Sequence, residues 1–376
     1  MFSLGATYLL YNFILITCPL LCYFSLSRGK RSGVYLAYII LFVLSAIRYD
    51  IGFDYANYYG IFMDKANNFS YHNTFSWTDL LDLEPIAFFF CYLFKWSEEA
   101  SLYIFATYSF FTLLLLYKTF EHYKIHTIGL LLYIGSWTLC QSWDWVRQAL
   151  SLSLFLYSIQ YIENKTFWKF FLCVIVAALS HYSALILLLV YPVSKITIPK
   201  SILISSIVVF TILSIFGVFE TTRSFLFSVI PYYAQTYAGT EYESAASDHT
   251  SISMLLTICI YLVFLITTEE EYKFLQFPFA LGCLLYIVAS GNLNINRIAW
   301  YFTSLQLIIV PLSIKEIPPK SVKLTILTLS FILLFFIFNY LDIGYTVRGC
   351  TPYQTIFSDE CKYQEFRNPD PIIWVK

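Results

Sequence analysis

The sequence predicts an all-α polytopic membrane protein of about twelve transmembrane helices. Three observations lead there. Of the 376 residues, 59% are hydrophobic and only 12% charged, roughly half the ~25% charged share of a soluble domain. Mean hydropathy is +0.66, and the apolar residues gather in long runs. Tyr, Phe and Trp make up 20% of the chain, as befits many side chains at a membrane–water boundary.

The apolar runs fall at 6–26, 34–47, 100–117, 128–142, 146–162, 167–180, 183–194, 201–219, 252–268, 274–290, 298–314 and 323–340. Several are shorter than the ~20 residues of an average span, which predicts thin or broken helices. An even number of spans puts both termini on one side. The run Ala6–Leu26 is too long for a signal-peptide core and lacks a basic leader and a small-residue cleavage site, so it reads as a retained span. Ile86–Phe94 is too short to cross. With Lys95-Trp96-Ser97-Glu98-Glu99 after it, it reads as an outer-face re-entrant or interfacial segment.

Sidedness follows from the basic residues. One set of loops holds Arg28, Lys30, Arg31, Lys118, Lys124, Lys165, Lys169, Lys195, Lys200, Lys273, Lys315, Lys320 and Lys323, and this side is assigned as cytoplasmic. Two of these are arginine. On the other side six bases are arginine: Arg48, Arg147, Arg223, Arg297, Arg348 and Arg367. A topology signal needs only positive charge, whereas a planar fork that grips phosphate bidentately needs arginine. The long polar segments also lie outside, so the active surface is expected there. Residues 1–376 read as one integral membrane domain, with an outer loop at 48–99 that carries the re-entrant segment, a second at 220–250 and an outer C-terminal tail at 341–376.

Seven of the nine cysteines fall in apolar runs and read as small buried residues. Cys350 and Cys361 lie in the outer tail, where a disulfide and two free thiols are both open. No metal motif, phosphate-cradling glycine loop, nucleophile elbow or basic nucleic-acid face is present in the sequence. No metal, cofactor or nucleic-acid partner is expected.

Four outer-face constellations carry possible chemistry. Arg48-Tyr49-Asp50-Ile51-Gly52-Phe53-Asp54-Tyr55-Ala56-Asn57-Tyr58-Tyr59 offers an arginine for phosphate, Asp50 or Asp54 as base and tyrosines for sugar rings. Its plainer reading is an aromatic belt with a snorkelling arginine. Trp143-Asp144-Trp145-Val146-Arg147-Gln148 opens a span whose helix N-terminus already favours an anion; alternatively Asp144 and Arg147 neutralise each other. Ser180-His181-Tyr182-Ser183 sets His181 in a tight outer turn, as a proton carrier or as an interfacial histidine bonded to a carbonyl. Gly291-Asn292-Leu293-Asn294-Ile295-Asn296-Arg297 puts another arginine before a span, with asparagines as hydrogen-bond partners or helix caps. Glu84-Pro85 closes the first outer loop; Pro there is a common helix opener, and Glu84 is placed to reach the site. Arg223 and the stretch 232–242 form a second aromatic-rich region. His72 and His249 lie outside without comparable context, and His122 and His126 lie inside.

The order Arg48…Gly52-x-Asp54-Tyr55-x-x-Tyr58, Glu84-Pro85, Arg147-Gln148, His181-x-Ser183, Asn296-Arg297, Thr351-Pro352-Tyr353 resembles the EpsG family of polysaccharide polymerases, which is similar to the Wzy-type O-antigen polymerases. The resemblance covers nearly the whole chain. It implies a GT-C-like helical fold in a bacterial inner membrane and an active site facing the periplasm. The implied substrate is an oligosaccharide on undecaprenyl pyrophosphate, with a chain-length regulator as a further partner. In the implied reaction the glycan leaves its lipid diphosphate for a hydroxyl of an incoming lipid-linked repeat unit. Arg48, Arg147 and Arg297 would hold the diphosphate as its charge builds. Asp54 or His181 would take the hydroxyl proton, and Tyr55, Tyr58, Glu84, Gln148 and Asn296 would support the sugars. An O-antigen ligase-like glycosyltransferase would use the same donor. A flippase or transporter is a different class, and it would be expected to show related halves and polar residues at mid-membrane depth; neither is seen. A membrane acyltransferase would also want His and Arg, but with an acyl donor.

Overall fold

The computed structural model describes residues 3–71, 83–136, 138–219, 252–289, 293–315, 317, 321–337, 339 and 350–357. Among them the chain is helical and holds no named strand. Among the described residues four helices are long and apolar enough to cross a membrane: Leu4–Ser27, Ala100–Tyr123, Glu270–Ala289 and Asn296–Lys315. Eight shorter apolar helices accompany them, among them Ser32–Ala46, Phe167–Ser180, Lys200–Ile215 and Val322–Ile337. This is an all-α membrane protein. His72, Arg223, the 220–250 loop, His249, Gly291, Asn292 and Cys361 lie outside the described residues. So does most of the 341–376 tail.

Chain contacts divide the protein into two compact units. The first comprises Met1–Tyr161, Trp168–Leu185 and Leu333–Lys376; the second comprises Ile162–Phe167 and Ile186–Ile332.

In the first unit, α1 (Leu4–Ser27) packs on α2 (Ser32–Ala46). The fit is close enough that a side chain at Gly33 would run into Ser25 Cβ at 2.7 Å and into the Leu21 carbonyl. The polar stretch expected as loop contains a helix, α3 (Tyr55–Tyr71), which packs on α4 (Pro85–Phe94) and α5 (Ala100–Tyr123). Its buried residues Tyr55, Tyr58, Phe62, Ala66 and Phe69 recur at three- and four-residue spacing, one face of a helix. The high tyrosine and asparagine content hides that stripe in a hydropathy reading. Phe88, Phe90, Phe105 and Tyr108 close over it. The run 128–142 is two helices, α6 (His126–Gly135) and α7 (Thr138–Asp144). Ser136 breaks it: its hydroxyl bonds the Leu132 carbonyl at 2.6 Å and Thr138 Oγ1 at 3.1 Å, competing with the backbone ladder. Next come α8 (Val146–Glu163) and α9 (Phe167–Ser180).

The run 183–194 folds as a 3-10 helix, Tyr182–Leu189, and one α-turn, α10 (Val190–Val193). The second unit is built on α11 (Lys200–Ile215), α12 (Ile252–Thr267), α13 (Lys273–Ala289), α14 (Leu293–Thr303), α15 (Gln306–Lys315) and the part of α16 (Val322–Ile337) up to Ile332. There α13 packs on α11, α12 and α14.

Candidate active site

The first unit brings two of the predicted side chains, Arg147 and His181, to one carboxylate, Glu84. Glu84 precedes Pro85 and holds an extended backbone, φ −63° and ψ 150°, as a residue before proline prefers. It stands at the N-cap of α4, but its side chain makes no capping bond. The carboxylate turns instead to Arg147 and His181. Arg147 Nη1 donates to Oε2, and His181 Nδ1 lies 2.7 Å from Oε1. Glu84 is nearly enclosed, with 5% of its side chain exposed, against 17% for Arg147 and 21% for His181. Burial pushes the Glu84 pKa up. The hydrogen bond from His181 and the Arg147 charge outweigh it and hold the carboxyl below its ordinary 4.5. An ionised carboxylate only accepts, so Nδ1 carries the imidazole proton and the lone pair of a neutral ring sits on Nε2.

The helices hold this arrangement by hydrogen bonds of their own. Arg147 is the second residue of α8, where free N–H groups and the positive dipole end lie. Ser180 Oγ donates to the Arg147 carbonyl at 2.9 Å, and Ser151 Oγ to the Ala177 carbonyl at 2.9 Å. These two bonds lock the start of α8 to the end of α9, the turn that carries His181. Its backbone N–H caps back to Ala177 at 2.9 Å. From α3, Tyr58 places its ring 4.9 Å from the Arg147 guanidinium carbon and its hydroxyl 3.5 Å from Nη2. Arg147 Nε is buried with no acceptor among the described residues. Of the two readings of this motif, the Asp144–Arg147 pair does not form: Arg147 pairs with Glu84, and Asp144 Oδ1 accepts from the Asp54 N–H at 2.8 Å.

Arg48 has a different setting in the same unit. It is 1% exposed. Its guanidinium donates to the Ser45 carbonyl, to Ser109 Oγ at 3.3 Å and to the Trp143 carbonyl at 3.4 Å. It also lies 5.2 Å and 5.9 Å from the Phe105 and Trp143 rings. No carboxylate pairs with it among the described residues. Burial lowers its pKa to about 10, so it stays charged at neutral pH. The chain beyond it turns back through Asp50 (φ 51°) and Gly52 (φ 103°). At Gly52 a Cβ would stand 3.1 Å from Asp144 Cα and 3.2 Å from the Trp143 carbonyl, so this turn needs glycine twice over. The Thr351-Pro352-Tyr353 motif belongs to the same knot. Tyr353 donates its hydroxyl to the Leu44 carbonyl at 2.6 Å and its N–H to Thr7 Oγ1 at 3.0 Å. Tyr49 N–H bonds Gln354 O at 3.1 Å, and Ile356 N–H bonds Ile47 O at 2.9 Å. Cys350 is buried, its carbonyl held by the Tyr11 hydroxyl at 2.7 Å.

The EpsG family model matches residues 33–355. The chain belongs to the EpsG family. It is therefore, in general terms, a polysaccharide-polymerase-like membrane glycosyltransferase with a lipid-linked saccharide as substrate. Comparison with curated proteins gives no match, and neither does comparison with solved structures.

The other predicted residues of this EpsG-family chain are placed as follows. Asp54 is half-buried just before α3, and its carbonyl accepts from Tyr58 N–H at 2.9 Å. Tyr55 and Tyr58 are 2% and 6% exposed, so their rings serve the core rather than a sugar surface. Gln148 is buried beside Arg147 in sequence. In the second unit, Asn296 and Arg297 are half-buried within α14. The helix starts at Leu293, so Arg297 lies a turn inside it instead of at its N-terminus, and Asn296 is not a cap. Asn296 Oδ1 is buried and accepts nothing from the described residues. Sequence reasoning undervalued Glu84, assigning it a supporting role. The available signal was an acid before proline at the edge of an apolar run.

Proposed function

We propose that this chain polymerises a surface polysaccharide from undecaprenyl-pyrophosphate-linked repeat units on the periplasmic face of the bacterial inner membrane, as Wzy-type O-antigen polymerases do. About twelve spans in a GT-C-like arrangement would carry that face. The observation behind the proposal is Glu84, a buried carboxylate shared by a cation and an imidazole drawn from three separate motifs.

His181 is the base in this reading. Glu84 fixes the ring through Nδ1–H, as the carboxylate of a catalytic triad orients its histidine. Nε2 then accepts the proton of the acceptor sugar hydroxyl as its oxygen attacks the anomeric carbon. The bond from that carbon to the diphosphate oxygen breaks, and the lipid diphosphate leaves with the electron pair. Arg147, at a helix N-terminus, stabilises the charge on the leaving oxygens. Arg297 is a second candidate for that role. For Arg48 we propose positioning: its enclosed charge fixes the 48–54 turn against the end of α7. Asp54 remains the alternative base, and its place at the start of α3 favours a helix-forming role.

Deleting the chain and separating surface saccharide on a gel tests the reading. A polymerase predicts loss of the ladder with one repeat unit kept at the surface. Complete loss of the unit from the surface would mean a flippase. An intact ladder left unattached to its acceptor would mean a ligase. Purified protein given lipid-linked units should lengthen them without a nucleotide.

A further inference from the structure

Glu84 gives each of its two partners one oxygen. An arginine fork meets a carboxylate best with two parallel N–H donors, one to each oxygen. Arg147 does not dock that way. Its Nη1 donates to Oε2, while Nη2 turns aside to the Tyr58 hydroxyl at 3.5 Å. Oε1 is thereby left for His181 Nδ1 at 2.7 Å. The Tyr58 ring also covers the guanidinium, 4.9 Å from its carbon. Tyr58 is itself held firmly. It is 6% exposed and lies in the first turn of α3, its N–H on the Asp54 carbonyl at 2.9 Å. Its ring stacks on Phe62 at 5.7 Å and 15°, and Phe62 stacks on Tyr108 at 6.2 Å and 15°. A column of three near-parallel rings from α3 and α5 therefore fixes the side of the contact that faces Arg147.

We propose that Tyr58 is a positioning residue for the base: by holding Nη2 it keeps Arg147 from clasping both oxygens of Glu84, and so keeps Oε1 for His181. Without the hydroxyl, Nη2 loses its acceptor in a nearly enclosed cluster, where an unmet donor is costly. Oε1 belongs to the carboxylate that Nη1 already grips, so the fork geometry brings it to Nη2. His181 would then lose the acceptor for its Nδ1–H, and with it the reason to hold that tautomer. Nε2 would no longer be kept as the lone-pair nitrogen that takes the hydroxyl proton. In this role Tyr58 acts through Arg147 and Glu84, not on the sugar it was expected to support. That the ring so oriented activates a sugar hydroxyl rests on the polymerase reading above; that Tyr58 sets the His181 tautomer does not.

The test is Tyr58→Phe in the full chain, which keeps the buried ring and removes only the oxygen. The chain has five histidines. Nitrogen NMR of histidine-labelled protein in lipid bilayers, at a pH where the ring is neutral, can therefore be assigned to His181 by difference from His181→Gln. The wild type should show His181 protonated at Nδ1, and Tyr58→Phe should move it toward the Nε2–H form. Tyr353→Phe removes a buried tyrosine hydroxyl that bonds the Leu44 carbonyl instead, and it should leave the His181 signal as in the wild type. In chain extension Tyr58→Phe should lower kcat about ten-fold, part of the roughly 10²–10⁴ that an oriented base supplies, with KM within about two-fold. An unchanged His181 tautomer in Tyr58→Phe would overturn the proposal, as would an equal change in Tyr353→Phe. Unchanged kcat despite a changed tautomer would overturn it too, since Tyr58 would then position nothing the reaction uses. A tautomer that depends on Tyr58 in a protein whose wild type extends no chains would sink the polymerase reading and leave the hold of Tyr58 on His181 standing.

Discussion

Arg48 and Arg147 look alike in the sequence: both belong to polar motifs at the end of an apolar run, and both carry aromatic neighbours. The fold treats them differently. Arg48 is sealed among two carbonyls, a hydroxyl and two rings. Arg147 shares a carboxylate with a histidine and keeps part of its side chain open. A buried cation bonded to carbonyls can hold segments together but has no surface to offer a headgroup. A cation beside an acid and an imidazole has both charge and a proton path. The lesson is that an arginine at a span end declares a need for a partner, and the partner decides whether it holds the fold or does chemistry.

The largest effect should come from Glu84→Gln, which unpairs Arg147 and frees His181 together. Removing one member of a buried pair costs about 3–5 kcal/mol, and loss of an oriented base costs on the order of 10²–10⁴ in rate. Thermal unfolding in detergent and chain-extension rate would register the two losses separately. Next, Arg48→Met and Arg147→Met should part company. The Arg48 variant should lose stability by about 2–4 kcal/mol, from unsatisfied carbonyls and imperfect packing, while the folded fraction extends chains within ten-fold of wild type. The Arg147 variant should also lose stability, by about 3–5 kcal/mol, because Glu84 is left without its cation, but its folded fraction should extend nothing, losing on the order of 10² or more in rate. Equal behaviour of the two would erase the distinction.

A third prediction concerns pH. The folded Glu84 pKa lies below its ordinary 4.5, so its contribution to stability is fully present above that value. It fades as pH falls from about 4.5 through the folded pKa. Melting temperature should therefore drop over that interval in the wild type, and less steeply in Glu84→Gln. The smallest effect is Tyr353→Phe, which deletes the hydrogen bond to the Leu44 carbonyl. It should cost about 1 kcal/mol, visible in thermal unfolding, with chain extension nearly unchanged.

Sequence reasoning reached the helical class and the family because both rest on features that survive locally: apolar runs, and an order of short motifs. It singled out Arg147 and His181 by residue type at span ends, and the fold brings both to Glu84. It missed α3, whose buried stripe of Tyr55, Tyr58, Phe62, Ala66 and Phe69 is interleaved with Asn, Asp and Lys that lower the mean hydropathy of the segment. It also misplaced the start of the helix carrying Arg297, since Asn-rich segments read as caps. That Glu84, and not Asp144, would pair with Arg147 was beyond its reach. The Asp144 pairing was local, at i,i+3, whereas Glu84 lies 63 residues away in sequence, and only tertiary folding could bring it close. Burial separates Arg48 from Arg147, and burial is set by neighbours that the linear motif does not contain.

The most direct measurement is a double-mutant cycle on single-turnover chain extension with Glu84→Gln, His181→Gln and the pair. If Glu84 acts by orienting His181, the double variant should be about as slow as either single one, a coupling well above the ~0.5 kcal/mol scatter of independent sites. Losses that simply add, each residue acting through a separate partner, would contradict the account.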